Sequence, residues 1–183
     1  MKPMHQVLLL ALIVLSFPVT GLAHADSYLT TVKSITFSIY SLEDQDKKYL
    51  GTVTTTDTPF GLLLTPKLSY LPNGIHAWHI HQVASCDHQG KAAGKHFHHH
   101  QKNTTQHATG PYDPNAPVGD LPSLTVINHH AELPVLAPRL KLADLPGRSI
   151  VIHQFGGKYY SSITNKSGGK PIACGTINYN LTQ

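Results

Sequence analysis

The sequence predicts an all-β fold, an eight-stranded Greek-key β-barrel of the immunoglobulin-like sandwich type, with two long functional loops. Short segments rich in β-branched and aromatic residues alternate apolar and polar positions along the chain. No segment repeats its apolar residues with the period near 3.6 that marks an amphipathic helix. Closing about eight such strands into a barrel removes the exposed edges of the sheet.

Eight segments carry the strand pattern. In residues 31–40, Phe37 and Ile39 are among the apolar points of an alternating segment. Pro66 in the third segment suits an edge strand or a bulge, because proline has no N–H for a sheet ladder. Pro138 breaks the sixth segment. The predicted strands are residues 31–40, 49–56, 61–68, 74–81, 124–128, 134–142, 148–153 and 172–179.

Two regions lack the strand pattern. Residues 82–120 are rich in histidine, glycine, proline, asparagine and threonine, and residues 154–170 are rich in glycine and serine. Structureless loops of this length are uncommon inside a compact domain and usually carry function. The sequence shows no internal repeat and no domain boundary between these regions, so we predict one domain.

The N-terminal residues have the features of a secretory signal peptide. Lys2 supplies a positive n-region, residues 7–17 are an apolar run broken only by Ser16, and residues 23–25 fit the small-x-small rule. A membrane-spanning helix is the alternative, but the run is shorter than the roughly 20 residues that a bilayer requires. We therefore predict that residues 1–25 are a signal peptide, and that residues 26–183 form an exported domain without a membrane segment.

The charge and cysteine content restrict the partners and the compartment. The formal net charge is +4 with histidine neutral, and no cluster of lysine and arginine forms a stripe. A nucleic-acid partner is therefore not predicted, whereas a small anion is modestly favoured. Cys86 and Cys174 are the two cysteines. In an exported chain such a pair indicates one structural disulfide, with two free buried thiols as the alternative.

Histidine is the unusual residue of this chain. The sequence has 14 histidines, and most of them lie in its middle third, which indicates metal binding. In a strand, residues two apart share a face, so His79 and His81 point to one side and His76, Trp78 and Ile80 to the core. Two imidazoles on one face can chelate copper or zinc. A solvated strand face that happens to hold two histidines is the alternative.

Residues 76–81, HAWHIH, begin a series of motifs that runs through almost the whole mature chain. On this series the chain resembles the copper,zinc superoxide dismutases, whose copper-ligand strand is usually HGFHIH. The segments GLLLTPKL and PVLAPRLK resemble the bacterial, periplasmic branch of that family. The further matching motifs are residues 84–86, 90–92, 93–97, 110–112, 119–122, 134–141, 147–153 and 173–175.

The resemblance implies a metal site and an activity. His96 matches the histidine that bridges copper and zinc, and Cys86 and Cys174 match the disulfide that ties the long loop to the barrel. The implied reaction converts superoxide to oxygen and hydrogen peroxide in the periplasm, with copper as the redox metal and His96 as a proton source. The resemblance leaves open whether the protein is a monomer or a homodimer. The implied copper ligands are His79, His81, His96 and His153.

The zinc half of the family pattern is incomplete. The resemblance implies zinc ligation by His96, His107 and Asp120. The remaining zinc histidine of the family would stand three residues before Asp120, where Pro117 cannot ligate. One of the three histidines at 98–100 could complete a tetrahedral site, or this run could be solvent-exposed and bind metal only loosely.

Two further positions depart from the family around the active site. Lys158 stands where the family has an aspartate that orients metal-bound histidines. Pro171 stands where the family has an arginine that helps to bind superoxide. The adjacent Lys170 is the predicted substitute as an electrostatic guide, without the planar fork of a guanidinium. His96 and Lys170 are therefore the predicted catalytic residues.

Three functions are compatible with this pattern. The first is a periplasmic superoxide dismutase with a complete copper site, an altered zinc site and reduced activity. The second is a non-enzymatic copper-binding or storage protein on the same fold, which the missing arginine, the missing aspartate and the extra histidines favour. The third is a barrel that has become an interaction module, against which the four matching copper histidines argue.

Overall fold

The computed structural model describes residues 34–44, 46–99, 110–157 and 168–177. Within these ranges the chain forms ten β-strands and two short 3-10 turns and contains no α-helix. The predicted all-β class is therefore confirmed. The strands are β1 (Ser34–Ser41), β2 (Tyr49–Thr58), β3 (Gly61–Ser69), β4 (Gly74–His76), β5 (Trp78–His81), β6 (Leu124–Val126), β7 (His130–Ala131), β8 (Val135–Ala137), β9 (Ser149–His153) and β10 (Pro171–Thr176).

Eight strands form one curled antiparallel sheet in the order β5-β9-β10-β1-β2-β3-β7, and β8 also pairs with β3. Strands β4 and β6 form a separate two-stranded ladder. Neighbours such as β1 and β10, or β5 and β9, are far apart in sequence, so long connections must cross the barrel between them. No helix in the described ranges has the length and apolar character needed to cross a bilayer.

The predicted strand at residues 74–81 is divided at Ala77. Before this residue β4 pairs with β6, and after it β5 pairs with β9. Ala77 itself accepts a hydrogen bond from the backbone of His153 and donates one to the carbonyl of Phe155, both at 2.8 Å. The change of partner divides the strand, although the side chains of residues 76–81 keep the predicted alternation.

Two other strand predictions differ from the structure. The segment predicted at 134–142 is a strand only over Val135–Ala137, because Pro138 follows and lacks an N–H. Strand β7 was not predicted, since it has two residues. A tight turn precedes β7, in which Asn128 and His129 have φ values of 50° and 66°, as a type I′ hairpin turn requires.

The core lies inside the curled sheet and includes the fully buried Phe37, Ile39 and Trp78. Strand β9 is buried on both faces, because Ile150 and Ile152 point into the core and Val151 packs on its outer side. The outer layer around Val151 contains Ala93, Leu42 and both cysteines. The long loop after β5 therefore covers the outer wall of the barrel and shields the strands beneath it from water.

The predicted disulfide joins this covering loop to the barrel. Cys86 in the loop is bonded to Cys174 in β10, with a Cα–Cα separation of 5.8 Å. The bond closes a stretch of 88 residues. The alternative of two free thiols is excluded, and the loop that carries His96 is covalently tied to the strand beside β9.

Candidate metal centre

Strand β5 is the scaffold of the site. On one side it pairs with β9 along its whole length. On the other side single β-bridges join His81 to His96 and His79 to Asp120. Residues that stand 15 and 41 positions apart in sequence are therefore neighbours on either side of a bridge. The backbone of β5 and of these bridged residues forms a frame that carries the side chains of the site.

A close approach of three backbone segments holds this frame. The N–H of Phe97 donates to the carbonyl of Ile80 at 2.8 Å, the N–H of Ile80 donates to Gly119 at 2.9 Å, and the N–H of Gly119 donates to Phe97 at 2.9 Å. A Cβ atom on Gly119 would lie 2.2 Å from the carbonyl oxygen of Ile80. Only glycine permits this contact, which fixes the position of the next residue, Asp120.

Four histidines converge on this frame. The ligand atoms of His79, His81, His96 and His153 all lie within 4.8 Å of one another. The rings of His79 and His96 are stacked with centroids 3.8 Å apart. His79 is 8% exposed and His81 6%, because the covering loop lies over them. The structure thus brings together all four side chains that the sequence assigned to copper.

One nitrogen of three of these rings is engaged in a hydrogen bond. The Nδ1–H of His81 donates to the carbonyl of Gly94 at 2.9 Å, and that of His153 donates to the carbonyl of Gly169 at 3.1 Å. His96 Nδ1 lies 2.7 Å from Oδ1 of Asp120. These contacts fix each ring and leave its Nε2 atom as the nitrogen that can bind a metal.

Three buried ring nitrogens have no hydrogen-bond partner in the described structure. They are Nδ1 of His79, Nε2 of His81 and Nε2 of His153. A buried polar atom without a partner destabilises a protein by about 1–3 kcal/mol, so such atoms usually serve a purpose. Neutral imidazole nitrogens are good ligands for copper. The donor set of this site therefore fits a copper ion.

The electrostatics of the cluster favour neutral imidazoles. Burial, reinforced by the neighbouring histidines, lowers the pKa of His79 well below its ordinary value. Burial also lowers the pKa of His81 to about 4, against a smaller upward effect of the hydrogen bond to Gly94. The pKa of His153 is lowered in the same way. At neutral pH protons do not compete for these nitrogens, and the lone pairs are available to a cation.

The zinc side has a different geometry. His96 Nδ1 and Asp120 Oδ1 are 2.7 Å apart, which is a direct hydrogen bond. The Pro117 carbonyl is also occupied, because it accepts from Asp120 N at 3.1 Å and from Arg139 at 2.8 Å. The predicted ligand His107 lies outside the described residues, as does Lys158.

The histidine run after the bridging position is divided between two environments. His98 is partly buried, and burial lowers its pKa while the charge of Asp120 acts in the opposite direction. His99 is more exposed, and its Nδ1 lies 3.5 Å from the carboxylate of Asp144. His100 is outside the described residues. Within the described part of the run, His98 is thus the histidine that interacts electrostatically with Asp120.

The rim of the site carries the other predicted catalytic residue. Lys170 Nζ lies 2.7 Å from Glu43 Oε1, and both side chains are well exposed. Pro171, which stands at the position of the family arginine, pairs with His153 in the β9–β10 ladder. The sequence analysis did not identify Glu43 as a partner of Lys170, since nothing in the local pattern connects the two residues.

Arg139 was also missed by the sequence analysis. Its guanidinium donates to the carbonyls of Pro111, Ala116 and Pro117 at 2.8–2.9 Å. It therefore holds the loop that leads to Asp120. In the sequence, Arg139 lies between Ala137 and Leu140, which are both buried. A charged residue among apolar neighbours is the signal that could have identified Arg139.

His76 supports the site from behind. It is 2% exposed, and its Nδ1 lies 2.8 Å from the carbonyl oxygen of His153. Its Nε2 lies 2.8 Å from the carbonyl oxygen of Pro72. The ring therefore connects the end of β9 to the segment before β4, in agreement with the core-facing position predicted for it.

Comparison with known proteins gives consistent matches. The family model for copper/zinc superoxide dismutase (SODC) matches residues 49–177. A protein named superoxide dismutase [Cu-Zn] from Legionella pneumophila is 44% identical over 129 residues, covering 70% of this chain and 77% of that protein. Its counterpart from Neisseria meningitidis is 38% identical over 188 residues, covering 95% of this chain and 100% of that protein.

Solved structures agree with these matches. The Cu/Zn superoxide dismutase from Brucella abortus has a TM-score of 0.68 at 32% identity, covering 79% of this chain and 99% of that one. The monomeric copper, zinc superoxide dismutase from Salmonella enterica has a TM-score of 0.64 at 33% identity, with the same coverage. These structures are Greek-key β-barrels, so the barrel predicted from the sequence is confirmed.

Proposed function

The chain belongs to the copper/zinc superoxide dismutase family, and from that membership we propose that it converts superoxide to oxygen and hydrogen peroxide. The observation that carries the proposal is the convergence of four histidines whose ligand atoms lie within 4.8 Å of one another. Three of them present a buried ring nitrogen without a partner in the described structure. The proposed copper ligands are His79, His81, His96 and His153.

The protein's contribution is to position these ligands and to control protons. Copper, when bound, supplies one-electron redox chemistry, which zinc does not have. The carbonyls of Gly94 and Gly169 hold the rings of His81 and His153 so that Nε2 faces the site. Asp120 holds the ring of His96 at Nδ1, and Nε2 of His96, when it is not engaged by copper, would take up a proton from solvent and deliver it to the product.

Members of this family use copper and zinc. For this chain the proposed zinc ligands are His96, His107 and Asp120. Lys170 is the proposed electrostatic guide for superoxide. An exposed cation close to a site raises the local concentration of an anion and its rate of encounter.

The proposed cellular context follows from the N-terminal sequence and from the relatives. Cleavage after Ala25 would release residues 26–183 into the periplasm, where the disulfide between Cys86 and Cys174 can form. The relatives compared above are bacterial proteins. The Salmonella enterica structure is of a monomer, and for this chain a monomer or a homodimer is proposed.

A metal analysis combined with a dismutase assay tests the activity. The mature protein, residues 26–183, is loaded with copper and assayed by pulse radiolysis beside His153→Gln and the matched control His130→Gln. His130 is exposed on β7, away from the cluster. We expect one copper per chain and catalysis above buffer in the wild type and in the control, and loss of both in His153→Gln. Absence of catalysis above buffer in the loaded wild type would overturn the proposal.

A second candidate function is copper storage without turnover. Pro171 stands beside His153 where the family has an arginine, and His98 and His99 supply further imidazoles near the site. More than one tightly bound copper per chain, together with little dismutation, would favour this function. The same metal analysis distinguishes the two.

A further inference from the structure

An open cleft of about 420 Å³ lies on the outer wall of the barrel, over the disulfide. One side of the cleft is formed by residues 84–87 of the covering loop, and the other side by residues of β1 and β10. Cys86 and Cys174 both line it, so the disulfide can be reached from the cleft. A cleft of this size can hold a small organic molecule.

The two bonded cysteines differ in exposure. Cys174 is 1% exposed and packs with Ala93 and Val151, whereas Cys86 is half-buried in the covering loop. A thiolate opens a disulfide by direct attack on one of its sulfur atoms, and the other sulfur leaves. The cleft therefore presents Cys86 as the sulfur that is attacked and Cys174 as the sulfur that leaves.

The lining of the cleft includes one ammonium group. Lys47, from the turn between β1 and β2, and Asp87, from the covering loop, both contribute to the lining. Asp87 accepts a hydrogen bond from the hydroxyl of Ser85 at 3.1 Å. Lys47, in the part of the chain that the structure describes, forms no ion pair. A cation beside the disulfide favours an incoming thiolate and attracts a ligand with carboxylates.

The turn that follows Cys86 has a strained backbone. His88 and Gln89 have φ values of 52° and 55°, in the left-handed region that is unfavourable for a residue with a Cβ atom. The next residue, Gly90, has a φ of 80° and is buried. A Cβ atom on Gly90 would lie 3.1 Å from Cβ of Pro171, so the turn is pressed against β10. Opening the disulfide removes the covalent bond that holds this turn in place.

From these observations we propose that Cys86 is a site of reversible modification by small thiols that carry carboxylates. The sulfur of the incoming thiolate forms a bond with Cys86 Sγ while the bond between Cys86 and Cys174 breaks. Cys174 Sγ keeps the electron pair of the broken bond and takes a proton from water. One disulfide replaces another, so no further oxidant or reductant is consumed. Attack by Cys174 on the mixed disulfide reverses the step and expels the ligand.

Modification changes the attachment of the covering loop. The loop is then no longer bonded to β10, and the strained turn can relax. The N–H of Gly90 donates to the carbonyl of Cys86 at 3.1 Å, and the N–H of Ala92 donates to the carbonyl of Asp87 at 3.2 Å. We expect hydrogen exchange at these two amides to become faster in the modified protein. The external thiol thus controls how firmly the loop covers the barrel.

A glutathione buffer tests the modification directly. The mature protein, residues 26–183, is freed of metal so that copper does not oxidise the added thiol. It is incubated with reduced and oxidised glutathione, quenched with acid, digested and analysed by mass spectrometry. We expect one glutathione per chain on the peptide that contains Cys86, and a free thiol on Cys174. An adduct on Cys174, or no adduct on either cysteine, would overturn the proposal.

A pair of neighbouring lysines tests the charge of the cleft. Lys48 is the matched control for Lys47, because its Nζ lies over the ring of Tyr70, 3.5 Å from the centroid, and it does not line the cleft. We expect Lys47→Gln to slow the reaction with glutathione about threefold at low ionic strength. The rate with the neutral thiol 2-mercaptoethanol should not change. Equal rates for Lys47→Gln and Lys48→Gln would overturn the preference for thiols with carboxylates.

Two substitutions at Gln89 test the strained turn. Gln89→Gly removes the cost of the left-handed backbone, whereas Gln89→Ala keeps a Cβ atom and therefore the cost. We expect half-modification of the glycine variant to require an about fivefold higher glutathione concentration, and the alanine variant to match the wild type. A glycine variant that is modified as readily as the wild type would contradict the role of the turn.

Two features keep the outcome separate from folding and from the dismutase proposal. Urea unfolding of each oxidised variant establishes that it folds, and the wild-type adduct decides the proposal without any variant. None of these measurements involves turnover of superoxide. Absence of dismutation would therefore overturn the proposed function and leave this inference intact, whereas absence of the adduct on Cys86 would overturn only the inference.

Discussion

Lys170 forms an ion pair with Glu43. Lys170 directly follows Gly169, whose carbonyl fixes the ring of His153. The Nζ–Oε1 distance is 2.7 Å, and the side chains are 60% and 45% exposed. An exposed pair of this kind adds little to stability, typically up to about 1 kcal/mol. Its consequence is electrostatic, because the carboxylate offsets the cation proposed to guide superoxide.

Removing the carboxylate tests that guiding role. We expect Glu43→Gln to raise kcat/KM for superoxide about twofold at low ionic strength, and Lys170→Gln to lower it by a similar factor. Both effects should disappear near 1 M salt, where the screening length is only about 3 Å. Lys67→Gln is the control for the loss of a lysine, since Lys67 is exposed on β3 and that strand carries none of the four histidines. If Lys170→Gln matches this control, Lys170 has no guiding role.

The buried histidines predict a pH dependence for the stability of the metal-free protein. The pKa of His81 is about 4 in the folded protein and 6.5 in the unfolded chain, where the side chain is exposed to water. Between these values the unfolded chain binds a proton that the folded protein does not, so stability is present above pH 6.5 and falls as the pH drops toward 4. For this residue the difference corresponds to about 3 kcal/mol.

Urea unfolding of the metal-free protein at several pH values between 7 and 4 measures this loss. The His81→Gln variant should show a smaller loss over the same range, because it lacks the group whose pKa is shifted. A wild-type stability that stays constant or rises as the pH falls would show that burial does not keep these imidazoles neutral.

The disulfide should affect both stability and metal binding. It closes a stretch of 88 residues, for which the loss of chain entropy in the unfolded state is worth roughly 4.5 kcal/mol. We expect the double variant Cys86→Ala, Cys174→Ala to be destabilised by about that amount in urea unfolding. Copper affinity should also fall, because the loop that positions His96 loses its covalent attachment to β10. Reduction of the wild type should reproduce both changes, and a variant as stable as the oxidised wild type would contradict the prediction.

Arg139 should determine the order of the segment before Asp120. Its guanidinium holds three carbonyls, and a lysine ammonium cannot reproduce that planar arrangement of donors. We expect Arg139→Lys to lose about 1–3 kcal/mol of stability. Hydrogen exchange should become faster at the amides of Asp113 and Ala116, while the amides of β9 serve as the internal reference. Unchanged protection at these two amides would show that the loop does not depend on the guanidinium.

Local pattern was enough to predict much of the fold. Alternation in the first strand correctly directs Phe37 and Ile39 into the core. The same period of two places His79 and His81 on one face, with Trp78 and Ile80 on the other. It could not predict the division at Ala77 or the short β7, because both depend on which segment pairs with which. Strand partners are chosen by contacts between distant parts of the chain.

The site also depends partly on local sequence and partly on contacts between distant parts of the chain. The sequence by itself determined which chemistry the side chains can perform, since two imidazoles on one strand face can chelate copper and two thiols can form a disulfide. The motif order also identified His96 and His153 as partners of the HAWHIH strand. Only the tertiary structure decided that His96 Nδ1 meets the carboxylate of Asp120 and that Lys170 meets Glu43. Those contacts depend on backbone segments that are distant in sequence and that only folding brings side by side.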